Sequence, residues 1–174
     1  DLGGTPSRMI ARAWNGEDLD SLRDHLIALA PLIHLYTEQH LAYPVLHYFH
    51  GERERTASSL RLTSLYELIV LLNHGVAEKV RIAPMTLLPL RDAMRGMREV
   101  ISTEFVEPTE ESPPPPSLQL LRDLGIPTVD DESYARAMSE TDESRRFFAG
   151  LLRDDGWPWE RIHDDSKMPT PVRS

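Results

Sequence analysis

Residues 58–76, SSLRLTSLYELIVLLNHGV, carry apolar side chains at the spacing of an α-helix. The positions that recur every three or four residues are Leu62, Leu65, Ile69 and Leu72. This spacing places them on one face of a helix that runs from about Ser58 to His74. Gly75 follows at the point where a left-handed C-terminal cap would end the helix. The stretch therefore predicts a long helix with one buried face.

Two other segments show the same helical periodicity. The first apolar series is Leu22, Leu26, Leu29 and Ile33, and Ser21 before it is a candidate N-cap. The second series is Leu87, Leu90, Met94, Met97 and Ile101, and Pro84 and Pro89 limit where that helix begins or bends. No segment alternates apolar and polar residues as a half-buried strand does. The sequence predicts an all-α protein built as a helical bundle.

A proline-rich segment divides the chain. Residues 107–117 read EPTEESPPPPS, and consecutive prolines cannot continue a helix or a sheet. We therefore predict a core helical bundle over residues 1–106, a proline-rich linker over residues 107–117 and a short acidic helical subdomain over residues 118–174. The subdomain should contain three short helices, with ends at Gly125 and Gly156 and a start at Asp130 or Asp131. Its few apolar residues predict that it packs on the core.

Composition and charge exclude several classes of protein. The 174 residues contain no cysteine, so a disulfide framework, a zinc finger and a cysteine nucleophile are all excluded. The net charge is -9, and the region after residue 103 carries most of it, with 16 acidic against 8 basic residues. Without a basic face, nucleic-acid binding is not expected. The longest apolar stretches are much shorter than the roughly 20 residues that cross a bilayer, which predicts a soluble chain. Because the sequence begins at Asp1, we expect it to be a piece of a longer protein.

Sequence motifs of enzymes are missing. There is no glycine-rich phosphate loop and no Gly-x-Ser-x-Gly nucleophile elbow. The acidic group that begins at Asp130 stands where negative residues favour a helix N-terminus. We predict no catalytic residue and no cofactor.

Four of the seven histidines lie in residues 34–50, HLYTEQHLAYPVLHYFH. His47 and His50 have i, i+3 spacing, which can place two imidazoles on one face of a helix, and His40 lies one segment earlier. These three histidines are the candidate metal ligands, with Glu52 or Glu54 to complete the shell. Packed or hydrogen-bonded histidines, or a pH sensor, are the alternatives.

The stretch EQHLAYPVLHYF, residues 38–49, resembles a segment of a family of prokaryotic potassium-channel-like proteins. In that family two transmembrane helices and a pore precede a cytosolic helical region. The matching positions are His40, Tyr43, Pro44, Val45, Leu46, Tyr48 and Phe49. The similarity extends over about residues 22–76 and includes no pore helix and no selectivity filter. Pro44 has a fixed φ and no amide donor, and it disfavours helical geometry in Tyr43, so it predicts a hinge between two helical segments. If the resemblance holds, the matching residues form the packed joint that fixes the angle between these helices.

The functional expectation that follows is a non-catalytic regulatory or assembly domain of a bacterial ion channel. The resemblance implies a homo-oligomer, a transmembrane pore segment elsewhere in the same polypeptide, and a position on the cytoplasmic side of the membrane. Two alternatives from other classes remain open. One is a helical metal-dependent enzyme that uses His40, His47 and His50, and the other is a free-standing protein-interaction module.

Overall fold

The computed structural model describes residues 4–42, 52–102 and 106–164, with the backbone alone for residues 40–42, 52–57 and 102. Within these ranges the chain forms seven α-helices and no strand, which confirms the predicted all-α class. The helices are α1 (Pro6–Ala13), α2 (Asp20–Ala42), α3 (Glu52–Val70), α4 (Pro84–Ser102), α5 (Gln119–Asp123), α6 (Asp131–Ser139) and α7 (Asp142–Asp154). A π-helical turn, Leu71–Gly75, extends α3, and two 3₁₀ turns span Glu78–Val80 and Trp159–Ile162. None of the helices in the described part is both long and apolar enough to cross a membrane.

The three apolar series identified in the sequence form the core. Every member of the α3 and α4 series is buried, as are three of the four members of the α2 series. Leu29 of α2 is partly buried and packs against the same cluster. The helical periodicity therefore predicted which face of each helix turns inward.

Helix ends were predicted with mixed success. Gly125 and Gly156 have φ of +72° and +78° just after α5 and α7, as expected for glycines that end helices. Asp130 caps α6 by accepting a hydrogen bond from the Ser133 N–H at 2.8 Å. Two other predictions are wrong. Ser21 lies inside α2 and donates its hydroxyl to the Ala13 carbonyl instead of capping, and Gly75 does not adopt a positive φ.

The space around Gly75 is limited by packing, while its backbone conformation does not call for glycine. A Cβ at this position would approach the Leu118 side chain to 2.8 Å. The chain leaves the π-helical turn through a short antiparallel bridge, in which the Ala77 N–H donates to the Pro127 carbonyl and the Val129 N–H donates to the Gly75 carbonyl. This bridge holds the region after α5 against the end of α3.

The C-terminal helices pack on the first bundle, as predicted. α2 packs mainly against α4, whereas α3 packs against α1 and α7, and α5 packs against α1. One continuous apolar cluster includes residues from both sides of the proline-rich segment, among them Leu68 and Leu72 of α3 and Phe147 and Phe148 of α7. The helices on both sides of residues 107–117 thus share one core.

The proline-rich segment is bound along the bundle, and we call residues 107–117 the proline strap. It has no helix or strand, as its composition predicted. Arg146 and Arg153 of α7 donate to the Thr109 and Glu107 carbonyls. Gly150 of α7 is needed here because a Cβ would overlap the Glu107 carbonyl. These contacts fix the strap against α7.

Candidate functional site

A cleft of about 350 Å³ opens where the end of α3, the middle of α4 and the junction between α6 and α7 meet. Its lining combines apolar, neutral polar and charged side chains. Those that the site's chemistry depends on are Tyr66, Asn73, His74, Arg91, Asp92, Arg95, Arg98 and Glu140. A volume of this order is at the lower end of the range for small-molecule sites.

The π-helical turn at the end of α3 contributes Asn73 and His74 to the cleft. The turn is closed by the Val76 N–H, which donates to the Leu71 carbonyl at 2.9 Å, one residue further along the chain than in an α-helix. Arg81 then donates to the Val76 carbonyl through Nε and a terminal nitrogen. π-Helical turns are rare in proteins, and many of those known lie at functional sites. The turn thus directs two polar side chains to the cleft from the end of α3.

Three arginines of α4 line the opposite side of the cleft. Arg91, Arg95 and Arg98 are spaced by four and three residues, so they project from one face of the helix. Arg95 pairs with Asp92 at 2.7 Å, and Arg98 donates to the Ser144 hydroxyl at 3.0 Å. Arg91 is solvent-exposed and forms no ion pair within the described ranges. Among the described residues, it is the one of these three arginines without a carboxylate or hydroxyl partner, since Arg95 and Arg98 have one.

The floor of the cleft is apolar. Ile69 and Val70 of α3 and Met94 of α4 line it, and all three belong to the buried core. Leu88 lies at the rim and is 37% exposed. The cleft therefore offers a ligand apolar contact on one side and guanidinium groups on the other.

His74 is held in its neutral form by this environment. Its pKa is lowered from 6.5, first by burial and then by the positive charges of Arg81 and Arg91, although Glu140 acts in the opposite direction. A neutral imidazole can donate from one ring nitrogen and accept at the other. The residue can thus form hydrogen bonds in the cleft without adding a second charge beside Arg91.

A buried ion pair lies directly beside the cleft on the same helices. Glu67 of α3 and Arg145 of α7 are 0% and 1% exposed, and Arg145 Nε lies 2.9 Å from Glu67 Oε1. A second contact joins a terminal nitrogen of Arg145 to Glu67 Oε2 at 3.3 Å. The pair is bidentate, the geometry in which a guanidinium best satisfies a buried carboxylate.

Arg145 also binds the proline strap. Its two terminal nitrogens donate to the Pro113 carbonyl at 2.9 Å and to the Pro114 carbonyl at 2.6 Å. Tyr134 of α6 donates its hydroxyl to the Pro116 carbonyl at 2.9 Å, and burial raises its pKa. Prolines make this arrangement possible, because an extended segment without internal hydrogen bonds leaves its carbonyls available.

Two aromatic residues complete the surroundings of the buried pair. The Arg145 guanidinium lies 5.4 Å from the centroid of the Trp159 ring, within cation–π range. His163 Nε2 lies 3.5 Å from Glu67 Oε2 without forming a hydrogen bond. The contact is an ion pair only when the imidazole is protonated. Trp159 also packs against the core cluster.

The residues of the predicted joint cannot be compared with this geometry. The backbone of His40 belongs to α2, but its side chain is not described. The rest of the joint (Tyr43, Pro44, Val45, Leu46, Tyr48 and Phe49) and the metal candidates His47 and His50 lie outside the described residues. Among the residues that the structure describes, no three His, Asp or Glu side chains are grouped as a metal site. The hinge and the metal site therefore stay predictions.

Sequence reasoning missed both the cleft and the buried ion pair. One signal was present for the pair, since Glu67 interrupts the apolar stretch LYELIV and an acid in such a stretch needs a buried partner. The partner, Arg145, is 78 residues away, and no local pattern connects the two positions.

Comparison with known proteins gives one informative similarity. No protein-family model matches the chain, and no solved structure matches it. The chain is similar to the uncharacterised membrane protein YdjJ of Bacillus subtilis (strain 168), with 24% identity over 158 residues. The alignment covers 91% of this chain and 46% of YdjJ, so the chain spans less than half the length of that relative.

Proposed function

We propose that this chain is a non-catalytic regulatory or assembly domain of a bacterial potassium-channel-like membrane protein, located on the cytoplasmic side of the membrane. The observation that carries the proposal is the similarity to YdjJ, a membrane protein, over nearly the whole of this chain but less than half of the relative. The unmatched part of such a protein is long enough to contain the transmembrane pore segment. The channel-like type is supported by the resemblance of residues 38–49 to the joint of that family.

The architecture supports a structural role better than a catalytic one. The most buried charged groups, Glu67 and Arg145, neutralise each other and hold the proline strap. Through Arg145, charge-assisted hydrogen bonds connect α7 with α3 and with the strap. The domain thus contains a rigid bundle of the kind that can transmit a displacement from one helix to another.

Self-association is part of the proposal, and α2 offers a surface for it. Ile27, Leu32 and Leu35 are 46%, 57% and 50% exposed, and the exposed Pro31 lies among them. Their spacing places them on one outward face of the helix. In a symmetric oligomer the same face of each copy can meet its equivalent, so we assign this face to contact with a second copy. Sedimentation of the wild type and of Leu32→Glu should show a larger oligomer for the wild type, and equal monomeric behaviour of both would contradict the assignment.

The first test of the channel proposal is the complete open reading frame that encodes this chain. We expect it to contain apolar segments of roughly 20 residues on both sides of a pore loop. A frame without such segments would overturn the proposal.

The second test uses the complete protein in lipid vesicles with a potassium-flux assay. Deleting the domain should change the number of active channels or the conditions under which they open, while the preference for potassium over sodium stays the same, because selectivity belongs to the pore. Loss of selectivity with unchanged assembly and opening would contradict the regulatory role. A variant in a surface residue of the domain, Arg136→Gln, serves as the control.

A further inference from the structure

We propose that the cleft between α3, α4 and the α6–α7 junction binds an organic phosphate, with the phosphate group at Arg91 and the apolar part of the molecule over Ile69, Val70 and Met94. This inference goes beyond the proposed channel function, because it concerns binding by this chain alone. It rests on the charge of the cleft, on the donors around Arg91 and on the apolar floor.

The charges of the cleft leave one guanidinium available. Asp92 is engaged by Arg95, and Arg98 is directed to Ser144 and to Glu143 at 3.0 and 3.3 Å. Arg91 lacks a carboxylate partner in the described part of the chain, and the remaining acid of the lining is Glu140. A guanidinium presents paired N–H donors that match two oxygens of a phosphate. The surplus positive charge is thus located at Arg91.

The groups around Arg91 are donors of the kind that a phosphate requires. Asn73 and His74 come from the π-helical turn, and together they offer the two N–H groups of the amide and one N–H of the neutral imidazole. The Thr141 hydroxyl also lines the cleft, but it already donates to the Met138 carbonyl at 2.8 Å. A phosphate monoester has three terminal oxygens and uses more donors than a carboxylate, which has two. The number of neutral donors beside a single free guanidinium therefore favours phosphate as the anion.

The apolar floor indicates that the phosphate belongs to an organic molecule. Inorganic phosphate would make no use of the apolar lining, which consists of the 37% exposed Leu88 at the rim and the few accessible atoms of Ile69, Val70 and Met94. An aromatic or aliphatic group would contact this lining. A cavity of about 350 Å³ accommodates a small molecule and not a long chain. Burying the apolar group adds affinity that the anion alone does not provide.

Binding can be measured on the isolated chain by calorimetric titration with phenyl phosphate at constant ionic strength. We expect phenyl phosphate to bind several-fold more tightly than inorganic phosphate, and benzyl alcohol not to bind. Arg91→Gln should weaken the binding of phenyl phosphate about tenfold, which corresponds to about 1.4 kcal/mol. Because Arg91 is exposed, the substitution should leave the fold intact, and the melting temperature checks this. Arg136→Gln, which removes a similar exposed arginine from α6, should bind as the wild type does.

An NMR titration of His74 gives a readout that does not depend on heat. A bound phosphate would oppose the effect of Arg81 and Arg91 on the imidazole, so the pKa of His74 should rise when phenyl phosphate is present. The rise should be smaller in Arg91→Gln. The proposal is overturned if the wild type and Arg91→Gln bind phenyl phosphate equally, or if the His74 signals do not respond to it.

The phosphate could belong to a soluble metabolite or to a lipid headgroup, and vesicles distinguish these sources. Arg91-dependent sedimentation with phosphatidic acid vesicles, but not with phosphatidylcholine vesicles, would assign the lipid as the source. Binding of phenyl phosphate without vesicle binding would assign a soluble molecule. Failure of both would overturn the proposal and leave the channel proposal untouched, because that proposal is tested on the complete membrane protein.

Discussion

Replacement of Arg145 by methionine tests whether the buried ion pair holds the bundle and the proline strap together. The substitution keeps a long side chain but removes every charge-assisted bond of the guanidinium. Two of these bonds reach Glu67, and two reach the Pro113 and Pro114 carbonyls of the strap. The variant therefore affects the core and the strap at the same time.

The expected cost follows from what the substitution leaves behind. Glu67 is 0% exposed, so Arg145→Met leaves a carboxylate without its partner in the core. Removing one partner of a buried pair costs about 3–5 kcal/mol. This is a large part of the roughly 5–15 kcal/mol by which a domain is stable. A strong decrease in the urea midpoint is the expected result.

The double variant Arg145→Met/Glu67→Leu separates the two effects. With both charged groups gone, the core contains no unpaired carboxylate, and apolar replacement of a buried pair is often neutral. What is still lost is the pair of bonds to the strap, and these carbonyls lie near the surface, where water can replace the donors. We expect a residual cost of about 1–2 kcal/mol. The double variant should therefore be more stable than Arg145→Met alone.

Urea unfolding measures the stability of these variants, and limited proteolysis measures how firmly the strap is bound. A glutamate-specific protease can cleave the strap after Glu110 and Glu111, but not after Glu107, because Pro108 follows it. Cleavage should be faster in both the single and the double variant. Stability should recover only in the double variant. Arg136→Met is the matched control, because its i, i+4 pair with Glu132 is exposed and worth less than about 0.5 kcal/mol. The reasoning fails if Arg145→Met behaves like this control, or if the double variant is no more stable than the single one.

Three other predictions test the packing and the cleft. Gly150→Ala should destabilise the fold by about 1–3 kcal/mol, because the new Cβ overlaps the Glu107 carbonyl. Gly96→Ala should instead stabilise α4 by up to about 1 kcal/mol, because the added Cβ meets open space, and the urea midpoints of the two variants test both predictions. Tyr134→Phe should cost about 0.5–1.5 kcal/mol through loss of the bond to the strap, measured in the same way. The pKa of His74 is lower in the folded protein than its ordinary 6.5, so the unfolded chain binds the proton at a higher pH and the free energy of unfolding should fall as pH decreases below about 6.5. His74→Gln should remove this part of the pH dependence, measured by unfolding at several pH values. An unchanged profile would contradict the lowered pKa.

The helical faces could be predicted from the sequence because burial follows helical periodicity. Leu62 in the middle of α3 and Leu72 in the π-helical turn after it need no other signal than their spacing, and both are buried. The glycines that end helices were predictable only where a left-handed residue is needed, as at Gly125 and Gly156. At Gly75 the space for a side chain is limited by Leu118. This contact joins two distant segments of the chain, so no local sequence pattern indicates it.

The candidate site could not be predicted, because it depends on contacts between distant parts of the chain. The proline run indicated a linker, and its composition gives no sign that Arg145 and Tyr134 bind its carbonyls. The histidines of residues 34–50 drew attention as a cluster because they are close in sequence. The cleft instead takes His74 from a π-helical turn and Arg91 from the next helix, and neither stands in a recognisable motif.

The cleft and the buried pair are joined through consecutive residues of two helices. On α3, Tyr66 lines the cleft and Glu67 forms the pair, and on α7, Ser144 accepts the bond from Arg98 while Arg145 binds Glu67. Tyr66 is also stacked on Phe148 of α7 with ring centroids 4.4 Å apart. A rigid helix cannot move Ser144 without moving Arg145, because the two share one backbone turn. Any displacement of α7 that widens the cleft must therefore also strain the pair and the strap that it holds.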